Sequence, residues 1–293
     1  MHNIIYDCDN TMGIYGKDVD DGLTMLYLLG REDVNLLGIC TTSGNAEVEE
    51  VYENTNKMLA RLNISKVPIL KGEDPHVSRK SQSSSFMMEM ARKSPGDITI
   101  LATGSMTNLY GAYMEDKNFF KNVKEIVIMG GILRPIIING REISELNLSK
   151  DAEASFILLS SEVNMTILNA HVTAKAIFGQ REMDILKKQN SNEIFDFIYA
   201  NIKDWFDLNY SRFKIKGFCN WDAAAALYIT NPELFLNRKM FLKPTLEDLK
   251  RGYMRETYKT NLGNEVNMPY DIIDIEKFNS VLLNGLKKCC INN

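Results

Sequence analysis

Apolar positions come in short, nearly unbroken runs over the first two-thirds of the chain, separated by segments with helical spacing. The runs Ile4–Asp9, Val34–Thr41, Val67–Leu70, Asp97–Ala102, Glu125–Met129 and Asn164–Leu168 each have strand length and end in turn residues. Continuous rather than alternating hydrophobicity predicts strands covered on both faces. Between them, Gly22–Leu29 predicts a buried helix, and Val48–Leu62 predicts a second one with acids in its first turn. The last third reads as more helical, from Asn192 to Ile229 and again from Ile275 to Leu286. Repeated strand–helix units predict a single-domain α/β fold spanning 1–293: an open, mostly parallel, Rossmann-like sheet with helices on both faces. A serine-rich stretch, Ser81 to Ser85, reads as a mobile loop over the site.

Chemistry gathers where those strands end. The first run closes in Asp7-Cys8-Asp9, and Asp18-Val19-Asp20-Asp21 stands where the next helix begins. In open parallel sheets ligands bind at the carboxyl ends of the strands. Carboxylates crowded there repel one another unless a cation or protons compensate, and an oxygen-only donor set suits Ca²⁺ or Mg²⁺. Helix capping by Asp18 or Asp20 accounts for one or two of these acids, not for all of them. The other strand ends carry Gly44-Asn45, Thr103-Gly104 and Met129-Gly130-Gly131, a succession expected to line a cleft. Beyond them, Asn139 to Asn147 forms a polar loop whose amide and carboxylate groups suit vicinal hydroxyls.

Composition narrows the picture. With 293 residues, 45% of them hydrophobic, the chain is long enough for a large core, and a net charge of -4 gives no general attraction to nucleic acid or anionic membranes. No apolar run has the length of a membrane span, and Met1-His2-Asn3 leads straight into a strand. Five cysteines without metal-type spacing read as free thiols of a cytoplasmic protein, with the adjacent pair Cys289-Cys290 incidental.

These motifs together resemble the Ca²⁺-dependent nucleoside hydrolases, the inosine-uridine preferring family. The likeness rests on Asp-Cys-Asp followed by Asp20-Asp21, Gly44-Asn45, Thr103 to Asn108, Ile128-Met129-Gly130-Gly131, Glu145-Leu146-Asn147 and Trp221-Asp222-Ala223. It implies hydrolysis of the N-glycosidic bond of a small-molecule ribonucleoside, giving ribose and a free base, by a homo-oligomer (dimer or tetramer). It further implies that Asp9, Asp21, Asp222 and the Thr103 carbonyl hold Ca²⁺, with Asp9 the general base. Asp20, Asn45, Asn139, Glu145 and Asn147 would hold the ribose hydroxyls, Met129 would pack beneath the sugar, and Asp7 would support the site from below.

Two departures from the family pattern matter. Asn10 to Lys17 separates the two acid groups, so a loop with two glycines must return Asp20 and Asp21 to the metal. The residue before the late aspartate is Trp221 where many members have a histidine acid; a purine-specific branch resembles this chain there. Stacking on Trp221 and the basic N7 of purines predict purine nucleosides over uridine. His171 and His76 are the remaining candidates for a leaving-group acid. Two rival readings remain at this point: Asp7-x-Asp9-x-Thr11 fits the signature of haloacid-dehalogenase-like phosphatases, although no late Gly-Asp-x-x-x-Asp follows. The missing histidine fits a non-catalytic nucleoside-binding protein.

Overall fold

The structure, a computed structural model, describes residues 1–188, 192–258 and 263–289. In chain order, β1 (His2–Cys8), α1 (Asp20–Leu29), β2 (Val34–Thr41), α2 (Val48–Arg61), β3 (Ile69–Leu70), α3 (Gln82–Lys93) and β4 (Ile98–Ala102) repeat the strand–helix unit. There follow α4 (Thr107–Glu115), α5 (Phe119–Asn122), β5 (Glu125–Met129), the hairpin β6 (Ile136–Ile138) and β7 (Arg141–Ile143), α6 (Ala152–Leu159) and β8 (Met165–Leu168). The last third holds α7 (Ala170–Thr173), β9 (Ile177–Gly179), α8 (Gln180–Lys188), α9 (Glu193–Phe213), β10 (Gly217–Cys219) and α10 (Trp221–Thr230). It closes with β11 (Phe235–Leu236), β12 (Lys239–Leu242), α11 (Leu246–Leu249), β13 (Asn264–Asn267), β14 (Asp271–Ile272) and α12 (Ile275–Lys288).

The central sheet runs β12-β13-β8-β5-β4-β1-β2-β3, parallel except for β12 against β13. Successive side chains of β1 explain its unbroken apolar run: Ile4 and Tyr6 enter one core cluster and Ile5 the other. Each face is roofed by helices, so neither set of side chains meets water. From β1 the chain moves outward to β2 and β3, then returns to the other side of β1 for β4, β5 and β8. The order therefore reverses between β1 and β4, and a crevice opens there at the carboxyl ends. Asp9 directly follows β1 and Thr103 directly follows β4, so the reversal puts both at the mouth of that crevice.

Two expectations change. Ser81 to Ser85 is the start of a helix, not a mobile loop. Ser81 caps α3 in a capping box with Ser84, while Ser83 and Ser84 are buried, and the Ser84 and Ser85 hydroxyls both donate to Glu115 at 2.9 Å. Serine favours caps as much as loops, and the reciprocal Ser81–Ser84 bonds decide between them. The helical stretch from Asn192 to Ile229 is interrupted by β10, whose Gly217–Cys219 pairs with β9. Cys8, Cys40 and Cys219 are buried free thiols; Cys290 lies outside the described residues.

Candidate active site

The loop after β1 is fixed before it reaches the second acid group. Asn10 turns the chain by accepting from the Met12 N–H at 3.0 Å, and Asn54 of α2 donates to the carbonyls of Asn10 and Met12 at 3.2 Å each. Thr11 then donates to the Asp18 carbonyl at 2.8 Å, delivering the chain to α1 with Asp20 and Asp21 in its first turn. The helix cap is Val19, without a side-chain bond, so neither Asp18 nor Asp20 is spent on capping. Across the sheet α10 opens with Trp221, and Asp222 lies in its first turn. The two helices pack together, and the Asp222 N–H donates to Asp20 Oδ2 at 3.2 Å. Two helix N-termini, each with unpaired N–H groups and positive dipole charge, thus converge on the acids.

One carboxylate oxygen from each of Asp20, Asp21 and Asp222 lies within 4.8 Å of the others, and all three residues are buried. Asp21 Oδ1 accepts from Thr103 Oγ1 at 2.7 Å and from the Tyr6 hydroxyl at 3.1 Å. Asp9 lies against Asp21; its Oδ2 accepts from the Asn45 N–H, whereas its Oδ1 is buried without a hydrogen-bond partner. Gly44 permits this arrangement, since a Cβ there would overlap the Asp9 carboxylate. Burial first, and then the neighbouring negative charges, push Asp9, Asp20 and Asp222 well above the usual carboxylate range, and Asp21 up to about 7. An orphaned buried oxygen in an oxygen-only cluster of like charges fits a hard divalent cation, which would supply the missing partner and offset the repulsion. Asp7 sits below: Oδ1 accepts from Asn108 at 2.8 Å, and burial raises this carboxyl to about 8.

A cavity opens beside the cluster. Its lining combines polar Asp20, Asn45, Thr103, Asn147 and Asp222 with apolar Met129, Ile132, Ile136, Ile143, Ala170 and Trp221. Asn147 donates to the Met129 carbonyl at 2.9 Å, which leaves its own amide oxygen free. This combination of polar groups able to pair with hydroxyls and apolar side chains suits a molecule with a sugar at one end and an aromatic base at the other.

The sequence profile of the inosine-uridine preferring nucleoside hydrolases matches residues 4–280. The chain belongs to that family. The inosine-uridine preferring nucleoside hydrolase of Crithidia fasciculata is 23% identical over 97% of both chains. Probable uridine nucleosidase 2 of Oryza sativa subsp. japonica is 22% identical over 80% of this chain and 78% of its own. In fold, the purine-preferring ribonucleoside hydrolase from Gardnerella vaginalis superposes with a TM-score of 0.83 at 20% identity, over 97% of this chain and 98% of that one. Membership makes this nucleoside hydrolase an N-glycosyl hydrolase and sets aside both the phosphatase and the binding-protein readings. Among the described residues no helix is long and apolar enough to cross a membrane.

Of the residues that the family resemblance assigns, Asp9, Asp20, Asp21, Asn45, Thr103, Met129, Asn147, Trp221 and Asp222 come together at the cluster and its cavity. Two stand differently. Asn139 is exposed at the tip of the β6–β7 hairpin at φ 47°, outside the cavity wall, and its amide donates to the Phe213 carbonyl at 2.6 Å. Asn139-Gly140 between two apolar-rich runs is a strong two-residue hairpin signal, and turn geometry claims the asparagine. Glu145 is in the wall, but its carboxylate is committed to backbone: Oε1 accepts from Gly131 at 3.0 Å and Leu148 at 2.8 Å, and Oε2 from Ser149 at 3.0 Å. It braces the turn at Gly131, whose φ of 81° only glycine adopts readily. His171 is held too, its Nε2 accepting from the Leu133 N–H at 3.2 Å, and burial depresses its pKa. His76 is exposed and outside the cavity wall. The apolar wall contributed by the hairpin has no counterpart in the sequence reading, and Asp18, read there only as one of the clustered acids or a helix cap, lines the cavity beside Asp20.

Proposed function

We propose that this nucleoside hydrolase is a Ca²⁺-dependent ribonucleoside hydrolase that prefers purine nucleosides to uridine. The observation that carries the reading is the adjacency of the buried Asp20–Asp21–Asp222 cluster to a cavity with Trp221 in its apolar wall. Asp9, Asp21, Asp222 and the Thr103 carbonyl are the groups that hold the cation. A cation held by these groups would lower the pKa of the attacking water and offset the charge of the acids. Asp9 is the base that takes the proton from the attacking water. Asp20, Asn45 and Asn147 grip the hydroxyls and hold the ring in reacting geometry. The bond to the base then breaks with oxocarbenium character on the sugar.

The base rests on the apolar wall, where Trp221 offers a stacking surface. An aromatic pair contributes on the order of 0.5–1.5 kcal/mol beyond burial, and a purine presents more surface to it than a pyrimidine. His171 is not among the residues lining the cavity, and its Nε2 accepts from the Leu133 N–H. Purines retain a basic N7 for protonation, whereas uridine has no comparable ring nitrogen. The test is kcat/KM for inosine, guanosine, adenosine and uridine on the wild type and on Trp221→Ala. Purines should lead, and the variant should lose about 2- to 12-fold on them, mainly in kcat. Uridine as best substrate, or a silent variant, would return Trp221 to a packing role.

A further inference from the structure

We infer that Tyr6 is a positioning residue for the cation: its phenol holds one oxygen of Asp21 and so dedicates the other to the metal. The inference rests on the Ca²⁺ reading above. Tyr6 stands in the middle of β1, fully buried, in the same core cluster as Ile4, Cys8 and the apolar side chains of α1. Leu or Phe would serve packing alone at such a position, and a buried hydroxyl is unfavourable unless paired. Among the described residues its partners are confined to two residues, both on the metal side. It donates to Asp21 Oδ1 at 3.1 Å and lies 3.2 Å from the Asp21 carbonyl, and Thr103 Oγ1 is 3.1 Å away.

Tyr6, Thr103 and Asp21 thus form a triangle of oxygens, closed by the 2.7 Å bond from Thr103 Oγ1 to Asp21 Oδ1. Each hydroxyl carries one proton and the ionised carboxylate none, so Asp21 Oδ1 is the acceptor of both. Those two bonds occupy both lone pairs of Oδ1, and Oδ2 is the oxygen that remains for a cation. The triangle also ties three elements together: Tyr6 comes from β1, Asp21 from the first turn of α1 and Thr103 from the residue after β4. Thr103 is held to β1 a second time, its N–H donating to the Asp7 carbonyl at 2.8 Å. Hydroxyl bonds to a ligating carboxylate are charge-assisted and fix its orientation before the metal arrives. That orientation is what the Tyr6 hydroxyl contributes beyond its ring.

The experiment is a calorimetric titration of CaCl₂ into calcium-free protein without substrate, on the wild type, Tyr6→Phe and Tyr27→Phe. Circular dichroism of the calcium-free proteins checks folding first. Tyr6→Phe keeps the ring and removes only the hydroxyl. Tyr27→Phe is the control, because Tyr27 is equally buried and lies on α1, yet its hydroxyl pairs with Thr230 at 2.6 Å and not with the acids. Tyr6→Phe should raise the Ca²⁺ dissociation constant roughly 10- to 100-fold, as for other groups that orient a metal ligand. Tyr27→Phe should leave it unchanged. Equal affinity in the wild type and Tyr6→Phe, or an equal weakening in both variants, would overturn the assignment. A Tyr6→Phe chain already unfolded without Ca²⁺ would also overturn it, by making the hydroxyl a stability group. Wild-type protein that binds no Ca²⁺ would instead defeat the Ca²⁺ reading, and this inference with it.

Discussion

Replacing Gly44 with alanine tests whether the Asp9 carboxylate must stand where the structure puts it. The added Cβ would lie 2.8 Å from Asp9 Cγ and would overlap Oδ2 outright. Non-bonded carbons rest at about 3.5–4.0 Å, so one partner must retreat by roughly 1 Å. The carboxylate does not retreat freely, because it is buried and its Oδ2 is held by the Asn45 N–H. Relief through the Gly44 backbone instead pulls on the Asn45 N–H that holds Oδ2. Either movement displaces the group proposed as base. A displacement of this size costs about 10²-fold in rate, equivalent to about 2.7 kcal/mol of barrier, and overpacking costs ~1–3 kcal/mol of stability. Gly96→Ala is the control: its φ is 75° and nothing lies within 4 Å of the added Cβ. It should lose about 1–2 kcal/mol of stability from left-handed backbone strain and keep its kcat. The assay is reducing-sugar release for kcat and KM, with denaturant melts on both variants. Gly44→Ala with full kcat, or the two variants losing kcat equally, would show that Asp9 geometry does not govern the reaction.

Two further outcomes follow from buried carboxylates. Burial raises Asp7 to about 8 and Asp21 to about 7, so from about pH 4 upward the unfolded chain has released protons that the metal-free fold still holds. Stability of the chelator-treated protein should therefore fall as pH rises from about 5 to 8, and Ca²⁺ should raise the melting temperature more at pH 8 than at pH 5; a flat profile in chelator would contradict the cluster's electrostatics. Glu145→Gln replaces an acceptor-only carboxylate with an amide whose NH₂ must face backbone N–H groups, which should cost about 1–3 kcal/mol in a denaturant melt. Unchanged stability with reduced kcat/KM would instead assign Glu145 to the substrate, as the family resemblance implies.

Sequence alone determined the parallel α/β fold and most of the acids that gather at the strand ends, because both depend on local patterns. Strands buried on both faces must be apolar throughout, and β1, β2, β4, β5 and β8 read that way. Acids placed directly after β1, in the first turn of α1 and in the first turn of α10 occupy positions that the backbone fixes within a few residues. What the tertiary structure decided is which polar atoms remain unspent. Asn139 and Glu145 have side chains suited to hydroxyls, but a hairpin turn engages one and backbone N–H groups of the Gly131 and 147–149 turns the other. Their partners at Phe213 and Gly131 are far away or conformationally determined, so no spacing rule reveals them. Ser81 to Ser85 opens a helix through the reciprocal Ser81–Ser84 bonds, and Glu115 on α4 accepts from the Ser84 and Ser85 hydroxyls. Asp18 was visible as an acid, but only the pinned loop from Asn10 to Lys17 brought it to the cavity wall. Residue type is a local property; whether its hydrogen-bonding capacity is already used depends on contacts across the fold.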